Sequence, residues 1–195
     1  MNTTTRPRLR GLFSIAVAWV IVAGLSPVAA AADDDRGNRG DIRSRVLTWD
    51  VAIDCRTFRL NGGMSFEAVG RGDTFIADGR MFPEGTLPPG FQANDPNDPG
   101  SIGHWVERGT MAATLTEIVG GARPAFFATW YHVLDDGSTL VADGPHPDSG
   151  PMAIIGGTGG FNRAAGELAD EIIGWNSTGC PNLRVTIVLE DKPRK

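Results

Sequence analysis

The sequence predicts an all-β chain, an antiparallel barrel or sandwich of about eight short strands. Three observations carry this. Apolar and polar residues alternate with period two along most of the chain. The 26 Gly and 13 Pro among 195 residues break it up too often for long helices. No stretch shows a sustained amphipathic helical repeat. Hydrophobic residues at 41% are enough for a core, and 21% charged residues is too few for a disordered chain.

The N-terminus sets the compartment. Arg6, Arg8 and Arg10 precede an apolar run from Leu12 to Leu25, then Pro27 and the small residues Ala29 to Ala32. A charged head, a short apolar stretch and an A-x-A site make a secretory signal peptide. A membrane span needs roughly 18–20 apolar residues, and this run is shorter. Residues 1–32 are therefore read as a cleaved signal peptide, with no membrane span left after cleavage. The mature chain is expected to be secreted or periplasmic. Cleavage leaves 15 basic and 23 acidic residues, a net charge of −8, which argues against nucleic-acid binding. Export also bears on the two cysteines. In an oxidising compartment, Cys55 and Cys180 are most simply a disulfide, because neither sits in a C-x-x-C spacing.

Residues 33–45 are polar and read as a flexible leader, and residues 46–195 as one domain. Val46 to Arg56 alternates, with Trp49, Val51, Ile53 and Cys55 on one face and Asp50, Ala52 and Asp54 on the other. After a turn at Asn61-Gly62-Gly63, Met64 to Val69 and Thr74 to Phe82 read as strands. Pro83 to Ser101, with five prolines, is a long loop. Its Asn94-Asp95-Pro96-Asn97-Asp98 cluster does not match a calcium loop, since Pro99 and Val106 fall where ligands belong. Ile102 to Val119 reads as one long strand or two joined at Gly109. Ala125 to Leu134 and Thr139 to Ala142 flank the hairpin turn Asp135-Asp136-Gly137-Ser138. Met152 to Ile155, Glu167 to Trp175 and Leu183 to Glu190 complete the set. In a closed meander the first and last strands are neighbours, which suits a Cys55–Cys180 bridge.

Cofactor signals are missing. Gly156-Gly157-Thr158-Gly159-Gly160-Phe161 fails as a dinucleotide loop, because Asn162 stands where the third glycine belongs. No spacing draws His104, His132, His146 and Glu107 together as metal ligands, so neither a cofactor nor a metal is expected. Glu107-Arg108 reads as a solvated or cross-strand ion pair. Asn176-Ser177-Thr178 is a glycosylation sequon.

Residues 126–167 carry a more specific pattern: Phe126-x-Ala128-Thr129, the turn at Asp136, Leu140, Gly144-Pro145, Ala153-Ile154-x-Gly156-Gly157-x-Gly159-x-Phe161 and Ala165-Gly166. This resembles plant allene oxide cyclases and, more loosely, dirigent proteins. Gly72-Asp73 and Arg80-Met81-Phe82 extend the resemblance, which spans roughly residues 46–190. It implies an eight-stranded antiparallel β-barrel of calycin type with an apolar cavity, often assembled as a homotrimer. The cyclases' first-strand acid falls on Asp50, but its companion Asn falls on Ala52. A second-strand Asn falls on Gly79 beside Asp78, a barrel Cys near Ala112, and a Tyr on His146. Only the acid survives, so the resemblance implies the fold rather than cyclase activity.

The expected function is binding of a small apolar or phenolic molecule in the barrel, steering its cyclisation or coupling. Asp50, Asp78 and His146 are the candidate catalytic residues, and Trp49, Trp105, Trp130 and Phe127 the candidate cavity wall. This requires Asp50 to point inward. Period two equally allows Trp49, Val51 and Ile53 inside with the acids outside, which hydrophobicity alone favours. The alternative is a non-catalytic secreted binding protein or plain carrier.

Overall fold

A computed structural model describes residues 44–61, 69–91, 94–146 and 150–190. The predicted signal peptide, most of the leader and the strand expected at 64–69 fall largely outside these residues. The strands are β1 (Ser44–Leu60), β2 (Thr74–Pro83), β3 (Gly90–Phe91), β4 (Gly103–Met111), β5 (Phe126–Leu134), β6 (Thr139–His146), β7 (Met152–Gly157), β8 (Gly166–Trp175) and β9 (Pro181–Glu190). Antiparallel ladders run β1–β2–β4–β5–β6–β7–β8–β9 and return to β1. Eight strands thus close into a barrel, which leaves no free edge in the circuit. β3 is a two-residue addition, parallel to the end of β8.

Alternation decides which side chains fill the barrel. Trp49 and Val51 of β1, Met81 of β2, Trp105 of β4, Trp130 of β5, Leu140 of β6, Met152 of β7, Leu168 of β8 and Ile187 of β9 form one buried cluster. Fully burying a large apolar side chain contributes about 1.5–3 kcal/mol, so this cluster dominates stability. One end of the barrel is stoppered. The glycine-rich run ends β7 and makes a single 3-10 turn, Gly159–Phe161, which buries Phe161. A Cβ on Gly157 would lie 2.7 Å from the Phe161 Cβ and 2.5 Å from the Thr139 oxygen, so only glycine permits that turn. Gly166, with φ 149°, lets β8 approach β9, where a Cβ would meet the Val188 oxygen at 2.0 Å.

Two expected elements differ. The strand expected to reach Val119 stops at Met111, and a short helix α1 (Leu115–Val119) follows. Thr114 caps it, and Glu117 bonds back to the Thr114 backbone, a capping box written in the sequence as Thr-x-x-Glu. β6 extends past Ala142 to His146, which places that histidine on a strand rather than in a loop. Cys55 and Cys180 form the expected disulfide, with Cα atoms 5.3 Å apart. No helix among the described residues is long and apolar enough to cross a membrane.

Candidate functional site at the open end of the barrel

β1 presents Trp49, Val51 and Ile53 to the interior. Asp50 therefore faces out, yet it is 0% exposed, because the segment after β2 folds over it. Its carboxylate accepts from the Leu87 backbone N–H at 3.0 Å and from Arg184 Nε at 3.0 Å. Asp50 is thus a structural anchor on the barrel's outer side, and the interior acid is another residue. Asp78 alternates with the inward Ala77 and Gly79 and also faces out, opposite Asp54 in the ladder. Asp54 and Asp95 share Arg56 in bonds of 2.8–2.9 Å, so the Asp95 loop is tied to β1.

His146 is the one catalytic candidate that points inward. The acid beside it is Glu107, which sequence reasoning read as part of a solvated or cross-strand pair. Alternation puts Glu107 on the Trp105 face of β4, while Arg108 takes the opposite, exposed face. Trp130 Nε1 donates to Glu107 Oε1 at 2.8 Å. His146 Nε2 lies 3.2 Å from both carboxylate oxygens of Asp170 on β8. Their side chains are 15% and 16% exposed, whereas the surrounding core is almost wholly buried. Four strands therefore deliver Glu107, Trp130, His146 and Asp170 to one end of the lumen.

The walls there are rings. Phe126 and Trp130 stand 5.1 and 5.0 Å from the His146 ring, and Phe75 packs edge-on to Phe126 at 5.0 Å. The β7–β8 ladder holds only three residue pairs, ending at Met152–Leu168, so Asp170 lies beyond the start of β7. Deeper in, Trp49 Nε1 donates to His132 Nδ1 at 3.1 Å, which places the neutral ring's proton on Nε2. Trp105 Nε1 and His132 Nε2 are buried without a partner among the described residues. Of the four expected cavity-wall residues, Trp49, Trp105 and Trp130 are interior. Phe127 is 55% exposed and lies in an open outer cleft of about 780 Å³ with Tyr131, Arg59 and Arg108. His104 faces outward, and no group of three or more described His, Cys, Asp or Glu residues is placed to hold a metal.

Burial pushes the Glu107 carboxyl up to about 7, against the opposing pull of His146 and the Trp130 hydrogen bond. Burial alone pushes His132 down to about 3, so it is neutral across the working range. The sign for stability follows from linkage. Glu107 keeps a proton in the folded state that the unfolded chain releases near 4.5. Its contribution is full below that value and is lost as pH rises to about 7. Glu107→Gln is expected to match the parent near pH 4 and to exceed it near pH 8 by about 3 kcal/mol. Urea midpoints at both pH values check this, and a pH-independent difference would refute it. His132 acts on the other side: its contribution is present above about 6.5 and falls as pH drops towards 3.

The chain matches no protein-family model and no curated protein by sequence. Solved structures do match. The pterocarpan synthase dirigent protein PsPTS1 aligns with TM-score 0.54 and 16% identity, over 78% of this chain and 97% of that one. The fold is that of the dirigent proteins. A second pterocarpan synthase dirigent protein, GePTS1, aligns with TM-score 0.53 and 15% identity, over 82% and 91%. Pyocyanin demethylase aligns with TM-score 0.50 and 18% identity, over 74% and 99%. This agrees with the architecture that the Gly156–Phe161 motif implied. At these identities the dirigent-type barrel is shared and nothing finer. Within it, the Asn176 sequon is not presented at the surface. Its Nδ2 donates to the Ile53 oxygen at 2.9 Å and to Asn182 Oδ1 at 3.2 Å.

Proposed function

We propose that this is an exported barrel that binds a small aromatic or apolar molecule at its open end. The observation that carries the reading is a buried carboxyl, Glu107, beside the His146–Asp170 pair in a ring-lined, partly exposed mouth. Concave, mostly apolar sites with a few convergent polar groups are the usual form of small-molecule sites. A carboxyl near 7 exchanges protons readily at neutral pH. Glu107 would take a proton from one atom of the ligand and return it to another, an isomerisation or cyclisation needing no co-reactant. His146 and Asp170 would hold the ligand's polar group, and the rings would exclude water.

The test is a thermal-shift panel of one- and two-ring aromatic molecules of each charge, together with unsaturated fatty acids. At least one aromatic class is expected to raise the melting temperature. Phe126→Ala should abolish the shift, while Phe127→Ser, on the outer face, should leave it intact. No shift with any compound would sink the reading. Self-association is a second reading, favoured by the exposed Phe127 and Ile155 on the outer face. It would assemble the homotrimer that the resemblance implies. Sedimentation at a single chain's mass would exclude it.

A further inference from the structure

Resting on the small-molecule reading, we propose that the open end of the barrel selects small aromatic cations. The positive group sits against Glu107 and Asp170, and the ring against Trp130 and Phe126.

Charge balance inside the barrel is the first argument. The inward-facing described residues include two carboxyls at this end, Glu107 and Asp170, and no Arg or Lys. Arg108, next to Glu107 in sequence, is on the outside of the wall. An entering anion would meet two acids with, among the described residues, only the His146 imidazole to offset them. A neutral ligand would leave Glu107 buried without a charged partner.

The second argument is an oxygen left over. Glu107 is 6% exposed, and its Oε1 is taken by Trp130. Its Oε2 accepts no hydrogen bond from the described residues. A more than nine-tenths buried carboxylate with one oxygen not engaged by the described residues is a ready acceptor for an N–H donor.

The rings are the third. Trp130 and Phe126 lie against His146, Trp130 also bonds Glu107, and Phe75 packs behind Phe126; aromatic faces attract cations, most strongly when water is excluded. Two other titratable groups face this space: His146 on β6 and, deeper, His132 on β5, which stays neutral. β1, β2, β7 and β9 turn only apolar or small side chains inward here. Acid weakens cation binding by neutralising Glu107. Above neutrality Glu107 is ionised.

The experiment titrates ¹⁵N-labelled protein with benzylammonium, benzyl alcohol and benzoate, reading the Trp130 indole N–H shift. Near pH 8 benzylammonium is expected to bind about tenfold more tightly than benzyl alcohol, with benzoate weakest. Its advantage should shrink at least fivefold near pH 5.5. Glu107→Gln should remove most of that advantage, and Asp170→Asn provides a second, independent carboxyl deletion. If benzyl alcohol or benzoate binds as tightly as the amine, the cation inference is overturned while the small-molecule reading stands. If none of the three shifts the indole, both fall.

Discussion

Arg184→Met is expected to destabilise the protein by about 3 kcal/mol, although Arg184 touches no ligand site. Asp50 is sealed between the barrel wall and the segment carrying Leu87. Its charge is balanced by Arg184, which meets it directly across the β1–β9 ladder. Asp50 in turn raises the Arg184 pKa above its ordinary value. Removing the guanidinium leaves a buried carboxylate with a single backbone N–H donor. An uncompensated buried charge costs far more than a lost surface pair. Asp50→Asn combined with Arg184→Met should recover much of the loss, because the remaining amide is neutral. Urea unfolding at neutral pH measures both. Loss of protection at the Leu87 amide in hydrogen exchange would locate the effect at the segment that covers Asp50. A loss below about 1 kcal/mol for the single variant would show that water reaches Asp50 and that the anchor is not sealed.

Breaking the Cys55–Cys180 bond is expected to cost about 4 kcal/mol, the second large effect. The residues are separated by 125 positions, so the bridge removes much of the freedom of the unfolded chain. It also holds the β8–β9 turn against β1, where Cys55 N donates to Thr178 Oγ1 at 3.1 Å and Asn176 reaches the Ile53 oxygen. Cys55→Ala with Cys180→Ala should lower the urea midpoint in step with that loss, and reductant should do the same to the parent. Equal midpoints for oxidised and reduced protein would mean that the hydrogen-bond network alone fixes the turn. A bridge of this kind suits a secreted or periplasmic protein.

Much of the architecture was legible because it is local. Alternation located most strands, and Asp135 to Ser138 marked its hairpin. The Gly157 and Gly166 motif positions prove to be points of close backbone approach. The short helix was missed: Thr114 and Glu117 form its capping box, but the apolar Ile118 and Val119 were read as strand. The site was less legible. His146 was singled out, but its partners Glu107 and Asp170 come from strands 39 and 24 residues away in the chain. Only the order and register of a closed sheet bring them together.

The sequence by itself determined which residues share a face: Trp49 with Val51 and Ile53, Asp50 with Ala52 and Asp54, Trp105 with Glu107. It also determined where the chain turns and that two cysteines stand beside the first and last strands. Only the tertiary structure decided which face is the inside. On β1 hydrophobicity pointed the right way, but burial did not separate the two faces, because a loop covers the outer one and Asp50 ends as buried as Val51. On β4 the deciding step was the opposite: an acid joined the tryptophan face. Periodicity is a property of a single strand, whereas inside and outside exist only once eight strands close. An acid is therefore stable in the interior only where neighbouring strands bring a hydrogen-bond donor and a partial opening to it.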